Sequence, residues 1–376
     1  MKFIHLSDLH LGKRVNEFSM KEDQEYILTK IINVIDEEKP DGILVAGDIY
    51  DRTVPSEEAM QLWDDFLNKI AGRRIPLFAI SGNHDSAIRL SDHSRLIENI
   101  GIYISPVFDG KVEPVELEDE NGKINIYMLP FVKPINVKSY YPEEEIKDYT
   151  DALRVVINNM IIDESERNIL IAHQFVTGAS RCESEEISVG GLDNVSSEVF
   201  DLFDYVALGH IHGKQHIGRA EVRYCGTPLK YSFSERNHVK SVTIVEIGKK
   251  GNVNIREREL VPKHDLREIR GTYEELTSKK NYENTAVDDY IHAILTDEED
   301  VLDAMGKLRI IYPNLMKLSY DNKRTRENKV ITEFDGIETK TPSQLFEEFY
   351  EMQNNQPMNN DQLDFAKSLI EKIWEV

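Results

Sequence analysis

Cysteine is nearly absent from this 376-residue chain: Cys182 and Cys225 stand far apart, with no CxxC pair. That excludes a disulfide framework and a thiolate zinc site, and predicts two reduced thiols. Chain breakers are few as well, 20 glycines and 13 prolines, which argues against a disordered or low-complexity chain. No apolar run approaches the roughly 20 residues of a membrane span, and the opening MKFIHLSDLH is polar where a signal peptide needs its apolar stretch. These absences predict a cytoplasmic chain with no membrane association. Positive charge is also short: 45 Lys and Arg against 68 Asp and Glu leave a net charge of −23, with no acidic tail to explain it. A chain that coats nucleic acid by its own charge is excluded, because such binding comes from Lys and Arg neutralising phosphates. Contact with DNA must be local, carried by metal ions, or shared with a basic partner.

What is present is apolar material in a repeating order. Hydrophobic residues make up 40% of the chain, enough for a packed core. The length exceeds what one core usually holds, so a main domain and at least one smaller module are expected. Five times a short apolar run, the size of a buried strand, ends in a polar cluster. Phe3 to Leu6 leads into Asp8 and His10, Ile43 to Ala46 into Gly47-Asp48, and Leu77 to Ile80 into Gly82-Asn83-His84-Asp85. Ile169 to Ala172 ends at His173, and Tyr205 to Leu208 at Gly209-His210-Ile211-His212. Between them, Leu28, Ile31, Ile32 and Ile35 share one helical face, as do Ala59, Leu62, Trp63, Phe66 and Ile70. The grammar is strand, loop, helix. Open α/β sheets gather ligand-binding groups beyond the carboxyl ends of their strands, so the five clusters are expected to meet on one edge. Val222 to Gly226 and Val239 to Ile247 read as further strands of a mixed sheet or sandwich.

The residue types suit metal ligation. Asp8 and His10, two apart, can grip one ion, and the carboxylate of Asp48 has the two oxygens that a ligand shared between cations requires. Asn83 adds a neutral oxygen, and His173, His210 and His212 add imidazole nitrogens. This sulfur-free mixture of N and O suits Mn²⁺, Fe or Zn²⁺ better than Ca²⁺. Five of the chain's 11 His fall in these clusters. The other six, His5, His93, His216, His238, His264 and His292, read as structural, with His5 a hydrogen-bonded core imidazole.

The ordered set D-x-H, G-D, G-N-H-D, a separate H and G-H-x-H resembles the signature of the calcineurin-like metallophosphoesterase superfamily. The resemblance implies an α/β fold, a four-layer metallophosphoesterase β-sandwich flanked by helices. It also implies two divalent metals: Asp8, His10, Asp48 and His212 on one, and Asp48, Asn83, His173 and His210 on the other. His84 is then the catalytic residue acting on the leaving oxygen, with Asp48 bridging. Two cations roughly 3.5–4 Å apart can hold a scissile phosphate, activate a shared water and offset charge on the leaving oxygen. His84, when protonated, can donate to that oxygen.

HLSDLHLGK, GDIYDRTVPS, SGNHDS, LIAHQFVTGA, VALGHIHGKQ and YCGTPLKYSFSE further resemble, in order, the SbcD family of nuclease subunits. That resemblance implies a Mn²⁺-dependent DNA nuclease (double-strand exonuclease, single-strand and hairpin endonuclease) that forms a homodimer and works with an SbcC-like coiled-coil ATPase. It divides the chain into a nuclease domain at 1–261, a small α+β capping domain at 262–340 and C-terminal partner-binding helices at 341–376. Asp51 stands where some relatives carry His, and its role is open at this point. Lys13, Arg14, Arg52, Arg89, Lys230 and Arg236 beside the motifs are candidates for phosphate or DNA contacts.

In the last part, Leu266 to Arg270, Tyr290 to Leu295 and Leu315 to Tyr320 read as strands, with helical stretches near 272–279 and 298–311. Thr341-Pro342 reads as a helix start, and Gln353 to Asn360 as a polar linker between two helices. Leu345, Phe346, Phe349 and Tyr350 form one apolar stripe, and Leu363, Ala366, Ile370, Ile373 and Trp374 a second. Phe346, Phe349, Leu363, Ile370 and Trp374 are the candidate partner-binding residues. Two other readings compete. GDIYDR is similar to the Gly-Asp-x-x-Asp-Arg of Ser/Thr phosphatases, which leaves a protein phosphatase or small-molecule phosphodiesterase as the alternative. A non-catalytic scaffold would keep the fold and lose ligands.

Overall fold

Strand alternation sets the layers. In Lys2–Leu6, Gly42–Ala46 and Leu77–Ile80 nearly every residue is buried, so both faces of this sheet are covered. The computed structural model describes residues 1–185, 194–330, 346–347, 349–350 and 358–374. The chain folds into two compact units, Met1–Leu266 and Arg267–Val376.

The first unit contains two six-stranded sheets. One runs in the order Val253–Glu259, Ser241–Ile247, Lys2–Leu6, Gly42–Ala46, Leu77–Ile80, Ile102–Ile104. The last four are parallel, and the first two join antiparallel. The other sheet runs Gln215–Ile217, Arg219–Tyr224, Tyr205–Gly209, Arg167–His173, Gly122–Met128, Pro114–Asp119, with its four central strands parallel. Phe3, Leu44, Phe78 and Val245 of the first sheet share one core with Ile124, Ile169, Ile171 and Tyr205 of the second. Ile4, Ile43 and Val45 alternate to the opposite face and are fully buried, which puts the crossover helices Lys21–Glu38 and Glu57–Ala71 over them. Helix Tyr149–Asn158 covers the second sheet with Leu153, Val156 and Ile157. The layers are therefore helix, sheet, sheet, helix. Each large apolar side chain buried this way contributes about 1.5–3 kcal/mol.

The helices obey their local signals. Ser56 caps Glu57–Ala71 by accepting from the Ala59 N–H at 3.3 Å, with Glu57 and Glu58 in the first turn and Lys69 in the last. The edge strands Ile102–Ile104, Pro114–Asp119 and Val253–Glu259, and Gly122–Met128 beside one of them, carry no clear sequence signal; four of the seven residues of Val253–Glu259 are charged, as an edge permits. Arg167, 1% exposed, holds the hairpin of Pro114–Asp119 and Gly122–Met128 by pairing its two terminal guanidinium nitrogens with Asp119 and donating to the Gly122 and Lys123 carbonyls.

The second unit has a three-stranded sheet in the order Leu266–Gly271, Tyr290–Leu295, Leu315–Tyr320, packed on short helices through Ile291, Leu308, Tyr312 and Leu315. The helix expected across 298–311 is confined to Ala304–Arg309, because Asp303 before it is left-handed at φ 50°. Thr341-Pro342, Leu345 and most of the expected linker lie outside the described residues. Asn360, read as the linker's end, instead begins helix Asn360–Trp374, where Asn359 and Gln362 cap each other reciprocally at 2.9 and 3.0 Å.

Candidate metal centre

The carboxyl ends of the parallel strands in both sheets meet at one edge. The Ala46 carbonyl lies 2.8 Å from His173 Nδ1, and the His210 N–H donates to Asp8 Oδ1 at 3.0 Å. Gly209 permits this approach, since a Cβ there would overlap the Ala46 carbonyl oxygen. Asp8, His10, Asp48 and His210 all adopt positive φ, at 52°, 44°, 48° and 101°. Such conformations cost non-glycine residues about 1–3 kcal/mol each and persist where surrounding contacts impose them, as they do at functional sites.

The donor atoms converge. His10 Nε2 lies 3.1 Å from His212 Nε2, and Asn83 Oδ1 lies 3.0 Å from His173 Nε2 and 2.9 Å from His210 Nδ1. Asp48 Oδ2 is 3.3 Å from His173 Nε2, 3.7 Å from His10 Nε2 and 4.0 Å from His84 Nε2. Asp8, His10, Asp48, His173 and His212 are at most 3% exposed. Because a carbonyl can only accept, His173 Nδ1 donates its proton to Ala46, which leaves Nε2, facing Asp48 and Asn83, as the nitrogen that can ligate once a cation replaces its proton. That is the arrangement of a metal-ligating histidine whose second nitrogen is fixed by the backbone.

The charged groups of the site shift one another strongly. Burial alone would raise Asp48, but His173, the hydrogen bond from it, His10 and His84 hold its carboxyl well below the usual range. Burial would likewise lower His173, yet Asp48 and Asp8 lift it to about 9. Burial pushes His210 down to about 3, followed by repulsion from His173, and pushes Asp8 up. Two carboxylates, one amide oxygen and four imidazoles, gathered at one place with five of the seven residues buried, fit divalent transition metals.

All seven sequence-proposed ligands are in this cluster. His84 lies at its rim: its backbone N–H donates to Asp48 Oδ1 at 2.9 Å, and its Nδ1 donates to the Asp51 carbonyl at 3.0 Å, aiming Nε2 inward. Asp51 thus acts on His84 through its backbone, while its carboxylate stands 2.7 Å from Lys13 Nζ and 3.6 Å from His10 Nδ1. Among the basic candidates, Lys13 and Arg52 both stand at Asp51, and Lys230 donates to the Arg236 carbonyl at 2.8 Å. Lys13 is held by Asp51, Arg14 binds the Glu17 carbonyl, and Lys230 pairs with Asp265 at 2.7 Å. Arg52, Arg89 and Arg236 are exposed. Phe346 and Phe349 are exposed, Leu363 and Ile370 half-buried, and the side chain of Trp374 lies outside those described. His5 is fully buried with Nδ1 2.9 Å from the Tyr205 hydroxyl.

Sequence reasoning named Asp85 in its cluster but gave it no role. Its carboxylate accepts from the backbone N–H of Gly82, Ile49 and Tyr50 at 2.9, 3.1 and 2.9 Å, knitting two ligand loops together, while burial and then Asp48 raise it to about 6. It missed Gln24, which donates to the His10 carbonyl at 2.7 Å and accepts from the Gly12 N–H at 3.0 Å. The signal for Asp85 was its place beside His84; for Gln24 there was none.

Two protein families match the chain. The calcineurin-like phosphoesterase family matches residues 1–214, and the Type 5 capsule protein repressor C-terminal domain family matches 262–354. The D subunit of nuclease SbcCD from Staphylococcus epidermidis is 34% identical, covering 100% of this chain and 99% of that protein. Among solved structures, a dimetal phosphatase from Danio rerio is similar at 13% identity and a TM-score of 0.42, covering 69% of this chain and 96% of that one. TT1561 of Thermus thermophilus is similar at 10% identity and a TM-score of 0.35, covering 68% and 98%. The chain belongs to the calcineurin-like phosphoesterase family, as a metal-dependent phosphoester hydrolase, and within it to the SbcD family.

Proposed function

We propose that this chain is a DNA nuclease subunit that hydrolyses phosphodiesters with two divalent ions, Mn²⁺ by preference. It would act in the cytoplasm on DNA ends and hairpins, as a homodimer joined to an SbcC-like coiled-coil ATPase. The observation that carries the chemistry is the convergence of Asp8, His10, Asp48, Asn83, His173, His210 and His212, with His84 beside them. The 34% identity over the full length to the D subunit of a nuclease SbcCD supports a nuclease that works with another subunit.

When bound, two cations supply Lewis acidity toward the phosphate and toward the attacking water. Asp48, whose Oδ2 stands 3.3 Å from His173 Nε2 and 3.7 Å from His10 Nε2, would be the carboxylate shared by the two ions. His84, oriented by the Asp51 carbonyl, is placed to deliver a proton to the leaving oxygen. The net charge of −23 leaves strong DNA attraction to a partner or to the metals. We assign residues 262–340 to a cap and 341–376 to partner docking. Phe346, Phe349, Phe365 and Leu369 support the latter, with 44%, 54%, 66% and 42% of their surface exposed.

The test is cleavage of end-labelled duplex DNA by chelator-stripped protein with Mn²⁺ restored, beside an aryl phosphodiester and a phosphopeptide. DNA cleavage lost with chelator supports the reading. Turnover of the phosphopeptide or aryl ester alone, with DNA intact even after the ATPase partner is added, assigns the site to a phosphatase or small-molecule phosphodiesterase. Retained ATPase affinity after removal of residues 341–376 would refute the docking assignment.

A further inference from the structure

His212 is gripped at three of its four polar positions. Its backbone N–H donates to Glu185 Oε1 at 2.6 Å, its carbonyl accepts from Lys240 Nζ at 2.9 Å, and its ring Nδ1 lies 2.8 Å from Ser184 Oγ. The fourth position, Nε2, faces His10 Nε2.

The direction of the ring contact follows from proton counting. Ser184 has one hydroxyl proton, and Glu235 Oε1 stands 2.6 Å from its oxygen. Glu235 is fully buried and its other oxygen accepts from Lys240 Nζ, so this carboxylate has only acceptors to offer Ser184. If Ser184 donated to His212 instead, two oxygen acceptors would face each other at 2.6 Å with no proton between them. Ser184 therefore donates to Glu235 and accepts from His212, which fixes the imidazole proton on Nδ1 and the lone pair on Nε2. Lys240, 6% exposed, closes the chain by donating also to Thr227 Oγ1 at 2.6 Å. Glu185 binds the same segment from the other side, accepting from the Cys182 N–H at 2.7 Å as well as from His212.

We propose that Ser184, Glu235 and Lys240 are positioning residues of the metal centre, a relay that holds His212 in the Nδ1–H tautomer with Nε2 directed at one cation. The inference rests on the two-metal reading above. Its physical basis is that only an unprotonated, correctly aimed nitrogen can ligate, and that a carboxylate beyond the ligand raises its basicity. The relay crosses the chain: Ser184 and Glu235 come from segments 51 residues apart, brought together at His212.

The experiment measures Mn²⁺ uptake by the chelator-stripped full chain, following free Mn²⁺ by its electron spin resonance signal, with the metal-free melting temperature recorded alongside. The wild-type chain is expected to take up two ions. Ser184→Ala is expected to weaken one of them about 10–100-fold, the usual effect of losing such a partner, and to leave the other and the metal-free melting temperature unchanged. Ser184→Thr, which keeps the hydroxyl, is expected to restore the affinity. Glu235→Gln is expected to weaken the same ion, and if it unfolds the chain the serine pair still decides. Unchanged uptake in Ser184→Ala overturns the relay, as does equal weakening of both ions with a fall in the metal-free melting temperature. A wild-type chain that takes up no Mn²⁺ overturns the metal centre itself, and the relay with it.

Discussion

His10 Nε2 and His212 Nε2 stand 3.1 Å apart in a pocket where their side chains are 1% and 3% exposed. Two ring nitrogens this close cannot both present lone pairs unless a proton or a cation lies between them. With the His212 lone pair on Nε2, His10 Nε2 holds the proton between them, and a cation that takes both nitrogens displaces it.

Metal should therefore stabilise the folded chain. Mn²⁺ at 100 times its dissociation constant contributes about 2.7 kcal/mol per site. For a domain of this size that is a rise of roughly 5–10 °C in melting temperature. Thermal melts of chelator-stripped protein with and without Mn²⁺ measure it, and coincident melts would remove the metal centre from consideration.

Asp48 and His84 should separate binding from chemistry. Asp48→Ala removes the carboxylate that contacts His173 and His10, so Mn²⁺ uptake and phosphodiester cleavage should both be lost. His84→Ala should keep metal uptake and lower the cleavage rate about 10²–10⁴-fold, the usual contribution of a positioned proton donor. Mn²⁺ titration beside a cleavage assay distinguishes them; lost uptake in His84→Ala would make His84 a ligand.

Asp85→Ala should destabilise the chain without touching a ligand. It leaves the backbone N–H groups of Gly82, Ile49 and Tyr50 without their acceptor. Buried donors left unsatisfied cost about 1–3 kcal/mol each, and with partial relaxation a total loss of about 2–4 kcal/mol is expected in denaturant melts. A variant as stable as wild type would mean the two loops hold without this carboxylate.

Acid should weaken the first unit through Glu38. Its hydrogen bonds from Arg256, with Lys2 and Arg258 nearby, lower it from 4.5 to about 2. Pairing favours the ionised form, so its contribution is complete above about pH 4.5 and is lost as the pH falls toward 2. Melting temperatures of wild type and Glu38→Gln should differ most above that window and converge within it. A constant difference from about pH 6 to pH 2 would assign the effect to packing instead.

Much of this molecule was legible before folding. The buried strands showed as apolar runs of strand length, the helices Lys21–Glu38 and Glu57–Ala71 as one-sided periodicities, and the ligands as polar clusters where those runs stop. Each signal is local, because strand and helix periods repeat within a few residues and a ligand loop follows directly on its strand. The edge strands were hidden, since a half-exposed strand such as Val253–Glu259 need not be apolar.

The sequence by itself determined the ligand types, their order and the elements that carry them. Only the tertiary structure decided how those ligands are aimed. The Asp51 carbonyl turns His84, the Ala46 carbonyl sets the tautomer of His173, and Ser184 with Glu235 does the same for His212. Each of these joins residues from 28 to 127 positions apart, through backbone atoms or through side chains to which the motifs assign no role. No periodicity or spacing encodes such contacts; they exist only once two sheets close and Gly209 lets their strand ends touch.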